Sequence, residues 1–211
     1  MKNNRIPFLY MACLLVVGVL MAAIPASTNS GYQVGDTARD FKLKNVDGKM
    51  VSMADYKDAK GFIVTFTCNT CPYSVAYEDR IIGLHNKYAP KGYPVIAINP
   101  NDVKESPKDS YKHMQVRAKE KKFPFPYVYD ETQEITKAYG ATRTPHLYVV
   151  QKQKEGKFKV AYTGTIDDNS REPEKVQKKY AEDALDELVA GKAVSQPNTK
   201  AIGCTIKWRE A

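Results

Sequence analysis

Cys68 and Cys71 are separated by Asn69 and Thr70 and followed by Pro72. Two sulfurs at this spacing can join and part within a single helical turn, as dithiol-disulfide exchange requires: one thiolate attacks a foreign disulfide and the other resolves the mixed disulfide. The first sulfur must be available as an anion, and the free N–H groups and dipole of a helix start lower a thiol's pKa. Such a start is expected here. Residues 62–67 (Phe-Ile-Val-Thr-Phe-Thr) form a short apolar, β-branched run ending at Cys68, the pattern of a buried strand. From Pro72, the apolar residues Val75, Ile82 and Leu84 lie among charges at helical spacing, and proline fits a first helical turn, where its missing N–H costs nothing. A core strand thus delivers the cysteines to a helix over 72–88. Cys68 is expected to attack and Cys71 to resolve, with a redox-active Cys68–Cys71 disulfide and no other cofactor. The competing assignments are an inert disulfide and half of a zinc site. Zinc would require a second CxxC or a histidine pair, which Cys204, His85, His113 and His146 do not supply at a suitable spacing, so no metal is expected.

The elements that hold this pair in place read along the chain as alternating strand and helix. A hairpin around Asp47-Gly48 comes first, and strands at 94–99, 125–129, 146–151 and 157–165 follow the one at 62–67. Helices are expected at 109–121 (with Asp109 or Ser110 near its cap), at 131–139 (stopped by Gly140) and at 173–190. This is an α/β fold with a central mixed β-sheet flanked by helices, an N-terminal β-hairpin extension and a C-terminal tail. Residues 1–28 read as a signal peptide or N-terminal anchor, 29–190 as one domain, and 191–211 as a tail packed on it, with Trp208 as a candidate anchor.

The leader has a basic start at Lys2 and Arg5 and an apolar run over 8–24 followed by small residues, which predicts an exported, periplasmic protein. If the leader is not cleaved, it becomes an N-terminal membrane anchor facing the periplasm. Cys13 lies inside the run without a lipobox and reads as an incidental small residue. Three cysteines then remain, so in an oxidising compartment one is left over whenever two pair. Cys204 is therefore open to three readings: an incidental tail thiol, an additional resolving or relay cysteine, or an intermolecular partner.

Hydrophobic residues at 43% and charged residues at 27% are ordinary for a soluble globular chain. The formal charge of +8 is spread over lysines interleaved with glutamates, with no compact basic stripe, so no nucleic-acid partner is expected. Glu78-Asp79 and Asp167-Asp168 are paired carboxylates in polar surroundings, read as caps or solvated faces.

Thr144-Pro145 precedes the apolar strand at 146–151. Together with the CxxC it gives the chain a resemblance to the thioredoxin superfamily. Asp40-Phe41-Lys42-Leu43, Thr67 to Tyr73, Ala97 to Asp102, Phe123 to Asp130, Thr142 to Pro145 and Gly203 to Trp208 narrow that resemblance to the redoxin branch, related to alkyl hydroperoxide reductase and thiol-specific antioxidant proteins. It implies a thioredoxin-like fold and a cis-proline at Pro145 packed against the CxxC. It also implies that Thr144 offers its backbone to an extended substrate. The partners implied are disulfide-containing protein substrates and a membrane or periplasmic thiol reductant.

Two departures bear on the reaction. A peroxiredoxin signature places proline seven residues and a hydroxyl residue three residues before the cysteine. Thr65 meets the second position, but Gly61 stands at the first. Exported cytochrome-maturation reductases place Trp before the first cysteine and a proline-containing dipeptide between the two, whereas here Thr67 and Asn69-Thr70 occupy these sites. The leading expectation is an exported thiol-disulfide oxidoreductase that reduces protein disulfides. A peroxiredoxin-like thiol peroxidase is the alternative, and a copper-binding metallochaperone using Cys68, Cys71 and His146 a further one. His146 either faces the sulfurs or is an ordinary strand histidine.

Overall fold

The computed structural model describes residues 31–210; the leader, including Cys13, lies outside them. Alternate residues of the central strands face opposite sides of one sheet, and each side is covered. The first strands are β1 (Thr37–Ala38) and a hairpin of β2 (Leu43–Asn45) and β3 (Met50–Val51), closed at the expected Asp47-Gly48 turn. They are followed by β4 (Gly61–Phe66), α1 (Pro72–Tyr88), β5 (Val95–Asn99), α2 (Tyr111–Lys121), β6 (Tyr127–Tyr129) and α3 (Glu134–Tyr139). The chain continues through β7 (Arg143–Thr144), β8 (His146–Lys152), β9 (Phe158–Gly164), α4 (Tyr180–Val189) and β10 (Cys204–Thr205).

Eight strands form a mixed sheet in the order β1-β9-β8-β4-β5-β6-β2-β3. β4 lies at its centre, parallel to β5 and antiparallel to β8, and is buried along its whole length. Ile63, Val95, Leu147 and Val149 turn toward Tyr77, Ile81 and Leu84 of α1, Met114 of α2 and Leu185 of α4. Phe62, Val64, Phe66, Ile96 and Val150 turn the other way, toward Tyr139 of α3, Phe41, Met53 and Ile206. Two-sided burial explains why β4 reads as a continuous apolar run rather than an alternating one.

One expected helix is shorter and the tail is anchored by a different residue. The helix expected over 173–190 is regular only in α4; Pro173–Lys175 is a separate 3-10 turn. The tail is held by Ile206, 4% exposed, whereas Trp208 is 40% exposed and is not its anchor. The large residue was the conspicuous one in the sequence, but the smaller aliphatic side chain fits beneath the sheet.

Candidate active site

β4 carries Cys68 off the centre of the sheet, and α1 begins at Pro72 with Cys71 as its N-cap. The strand-to-helix context is as expected, but Cys68 sits ahead of the helix rather than on its first turn. Both sulfurs converge on Thr144, the last residue of β7, just before the Pro145 that separates it from β8. The Cys68 thiol lies 3.4 Å from Thr144 Oγ1, and Cys71 Sγ lies 3.0 Å from Thr144 O. The Thr144–Pro145 peptide bond is cis.

The sulfurs do not pair as the spacing predicts. Cys71 is bonded to Cys204, with Cα atoms 5.9 Å apart across 133 residues, and Cys68 is a buried free thiol. The reason lies in the tail: β10 runs antiparallel to β7 with Cys204 opposite Thr144, which brings the third sulfur to the one already resting on the Thr144 carbonyl. The approach is close enough that a Cβ on Gly203 would stand 2.2 Å from Thr144 O. The same pairing bears on the role expected of Thr144. In this structure the Thr144 edge, assigned by resemblance to an extended substrate, is occupied by the protein's own chain.

The acidity of Cys68 also differs from that expected at a helix start. Its pKa is raised rather than lowered: burial pushes the thiol up, the Asp109 carboxylate adds to this, and hydrogen bonds from Thr144 and the Cys71 and Thr70 backbone only partly oppose it. Of the two residues expected near the cap of α2, Ser110 is the N-cap, while the fully buried Asp109 carboxylate staples the CxxC segment. It accepts from Asn69 N at 2.8 Å, Thr70 Oγ1 at 2.9 Å, Asn101 Nδ2 at 2.8 Å and Ser106 Oγ at 2.6 Å. Asn69 is further held by Tyr127, whose hydroxyl donates to Asn69 Oδ1 at 3.0 Å. The available signal was the polar pair Asn99 and Asn101 at the end of β5, whose side chains donate to the Asp109 carbonyl at 2.7 Å and carboxylate at 2.8 Å.

The accessory candidates lie apart from the sulfurs. Thr65 is fully buried and its hydroxyl has no hydrogen-bond partner, so it does not serve Cys68. Gly61 cannot be the proline of a peroxide site without rearrangement, because a Cβ there would lie 2.2 Å from Val150 O and 2.5 Å from the Tyr93 ring. His146 meets Thr163 Oγ1 at 3.1 Å and stacks near Tyr148 rather than meeting a sulfur; burial depresses its pKa to about 4. Of the paired carboxylates, Asp79 and Asp168 are exposed as expected, and Asp168 accepts from Gln177 N at 3.0 Å, whereas Glu78 and Asp167 are buried. Asp167 is buried against Arg80 Nη1 at 2.6 Å, and Glu78 is buried against a bidentate Arg117 at 2.7 Å. Both hold elements together away from the sulfurs. Among the described residues, no three His, Cys, Asp or Glu side chains are gathered for a metal, and no helix is long and apolar enough to cross a membrane.

Residues 34–160 match the AhpC/TSA family. The thiol-disulfide oxidoreductase ResA of Bacillus thuringiensis subsp. konkukian is 26% identical over 72% of this chain and 85% of its own. Among solved structures, an uncharacterized conserved protein from Geobacillus kaustophilus is 37% identical with a TM-score of 0.77, covering 85% of this chain and 94% of that one. A hypothetical protein from Sinorhizobium meliloti 1021 is 30% identical with the same TM-score, covering 86% and 97%.

Proposed function

The chain belongs to the AhpC/TSA family and is a thiol-disulfide oxidoreductase, and on that premise we propose that it reduces protein disulfides outside the cytoplasm through Cys68 and Cys71. The observation that carries this reading is the convergence of both sulfurs on Thr144, one on its hydroxyl and one on its carbonyl. The Cys68 thiolate attacks one sulfur of a substrate disulfide, and the first substrate thiolate departs. Cys71 then attacks the Cys68 sulfur of the mixed disulfide. The second substrate thiolate leaves, and the enzyme keeps a Cys68–Cys71 disulfide for a thiol reductant to reopen. Thr144 presents its backbone to the substrate chain during the attack.

The raised pKa of Cys68 supports the reducing direction. Burial and the Asp109 charge both disfavour its thiolate, so the reduced form gains little from ionisation and gives up its electrons readily. Export rests on the basic start, apolar run and small residues of the leader. Cys71→Ser should accumulate covalent complexes through Cys68 with disulfide-bearing proteins, and their absence would overturn the reading. Equilibration against glutathione buffers should give a low, reducing potential; a strongly oxidising value would reverse the assigned direction.

Family membership favours a second reading, a thiol peroxidase. It requires rapid sulfenic acid formation at Cys68 on mixing with peroxide. Reaction no faster than that of a free cysteine would dismiss it.

A further inference from the structure

The last strand of the chain lies where a substrate would have to lie. β10 pairs with β7 in antiparallel register, Cys204 opposite Thr144, and its sulfur is bonded to Cys71. An extended peptide bound through the Thr144 backbone would need the same edge, because a strand edge has one row of donors and acceptors to offer. With the tail in place, Cys68 and Cys71 are 3% and 4% exposed, so neither can meet a protein disulfide. Cys204 is only partly covered.

The tail is anchored on both sides of this contact. Upstream, Thr199 N donates to Thr163 O at 3.0 Å, and the Thr199 hydroxyl is within 2.6 Å of the Tyr162 hydroxyl. Downstream, Ile206 is buried in the core, and Lys207 N donates to Asn101 Oδ1 at 2.9 Å while Lys207 O accepts from Asp102 N at 2.9 Å. Between the anchors, the stretch over 200–205 alternates exposed and partly covered residues, none buried, and touches the site through a two-residue strand. It has the form of a strap fixed at both ends and fastened in the middle by a bond that reduction can cut.

We propose that Cys204 is a third redox residue, whose bond to Cys71 fastens β10 over the Thr144 edge as a tethered stand-in for substrate. The edge then opens to an extended disulfide substrate only after an external dithiol has reduced Cys71–Cys204. This deepens the function proposed above and rests on it.

The exchange balances without any further oxidant. One thiolate of the external dithiol attacks the Cys204 sulfur, and Cys71 departs as a thiolate that takes a proton beside the Thr144 carbonyl. The second thiol of the reductant closes on the first, releasing Cys204 as a thiol and leaving the reductant as a disulfide. Cys68 and Cys71 then reduce a substrate and are left joined. Cys204 thiolate attacks the Cys71 sulfur of that bond, forming Cys71–Cys204 and expelling Cys68 as a thiolate. This last step is redox-neutral. It refastens the strap and returns the protein to the form seen here.

The test uses the full exported chain in oxidised and reduced forms, the Cys204→Ser variant and the Gly203→Ala variant, whose added Cβ would collide with Thr144 O. Peptide mapping of the oxidised wild type should find Cys71 joined to Cys204 and Cys68 free for alkylation. Amide hydrogen exchange at 143–144 and 203–205 should accelerate at least about tenfold on reduction of the wild type. It should already be fast in oxidised Cys204→Ser and in Gly203→Ala. With an extended disulfide peptide and a dithiol reductant, oxidised wild type should show a lag that reduced wild type and reduced Cys204→Ser lack. Cys204 freely alkylated in the oxidised wild type, or amide protection unchanged by reduction, would overturn the strap. If neither protein reduces the peptide, the oxidoreductase reading fails, while mapping and amide exchange still decide the strap by themselves.

Discussion

Asp109 and Asp167 are both buried carboxylates, yet they solve the problem of burial in opposite ways. Asp167 has a cation: Arg80 reaches it at 2.6 Å, and the Tyr77 hydroxyl donates to it at 2.8 Å. Arg80 also donates to the carbonyls of Asn169 and Ser170, each at 2.7 Å, so the pair locks α1 to the segment after β9. Among the described residues Asp109 has no cation; its contacts are the four neutral donors of the CxxC segment and its surroundings. A charge neutralised by a neighbour acts locally, as a fastener. A charge held only by dipoles keeps its field, and in a low-dielectric interior that field reaches the next titratable group, here the Cys68 thiol.

The comparison breaks most visibly at Asp167. Asp167→Ala strands the Arg80 guanidinium in a largely buried site, and denaturant unfolding should show a loss of about 3–5 kcal/mol. The Cys68 titration should not move. A shift in that titration would mean that the two regions are coupled.

Asp109→Asn keeps the shape and removes the charge. Stability should fall by about 1–3 kcal/mol, because an amide cannot accept from all four donors, and the Cys68 pKa should drop as its anionic neighbour disappears. The thiolate absorbance of the reduced protein, followed against pH, reads this directly. An unchanged or raised Cys68 pKa would show that burial alone sets it.

His146 supplies a third response to burial, the loss of its charge. Its folded pKa, about 4, lies below the unfolded one, so the unfolded chain binds the proton first as the pH falls. The stabilisation from a neutral His146 is complete above pH ~6.5 and declines as the pH falls toward ~4, by up to about 2 kcal/mol at pH ~5. Unfolding of wild type and His146→Gln across this window should reveal the difference; parallel curves would remove it.

Thr70→Ala tests the smallest part of the contrast. Thr70 is exposed and supplies one of four donors to Asp109, so its loss should cost no more than about 1 kcal/mol and move the Cys68 titration less than Asp109→Asn does.

The legibility of this chain in its sequence divides along the same line. The strand entering Cys68 and the helix leaving Cys71 could be read because each is a local pattern: an apolar β-branched run, a proline at the first helical turn, and apolar residues at helical spacing. The hairpin at Asp47-Gly48 was legible for the same reason, since one turn fixes it. The contact of Asp109 with the CxxC segment was not legible because its carboxylate is defined by donors as far as 40 residues away in sequence, at Asn69 and Thr70. Glu78 and Asp167 read as solvated because their neighbours along the chain are polar, whereas Arg117 and the packing of Tyr77, which bury them, come from other elements. Trp208 and Ile206 show the same inversion in the tail.

The sequence by itself determined that two sulfurs stand at the junction of a core strand and a helix, and that a third waits near the end of the chain. Only the tertiary structure decided which two are joined. A disulfide requires Cα atoms within a few ångströms of each other, and for Cys71 and Cys204 that proximity comes from a two-residue strand pairing across 133 residues. Chain spacing favours Cys68 and Cys71. The antiparallel register of the tail against Thr144, set by side chains anchored on either side of it, favours the other pair.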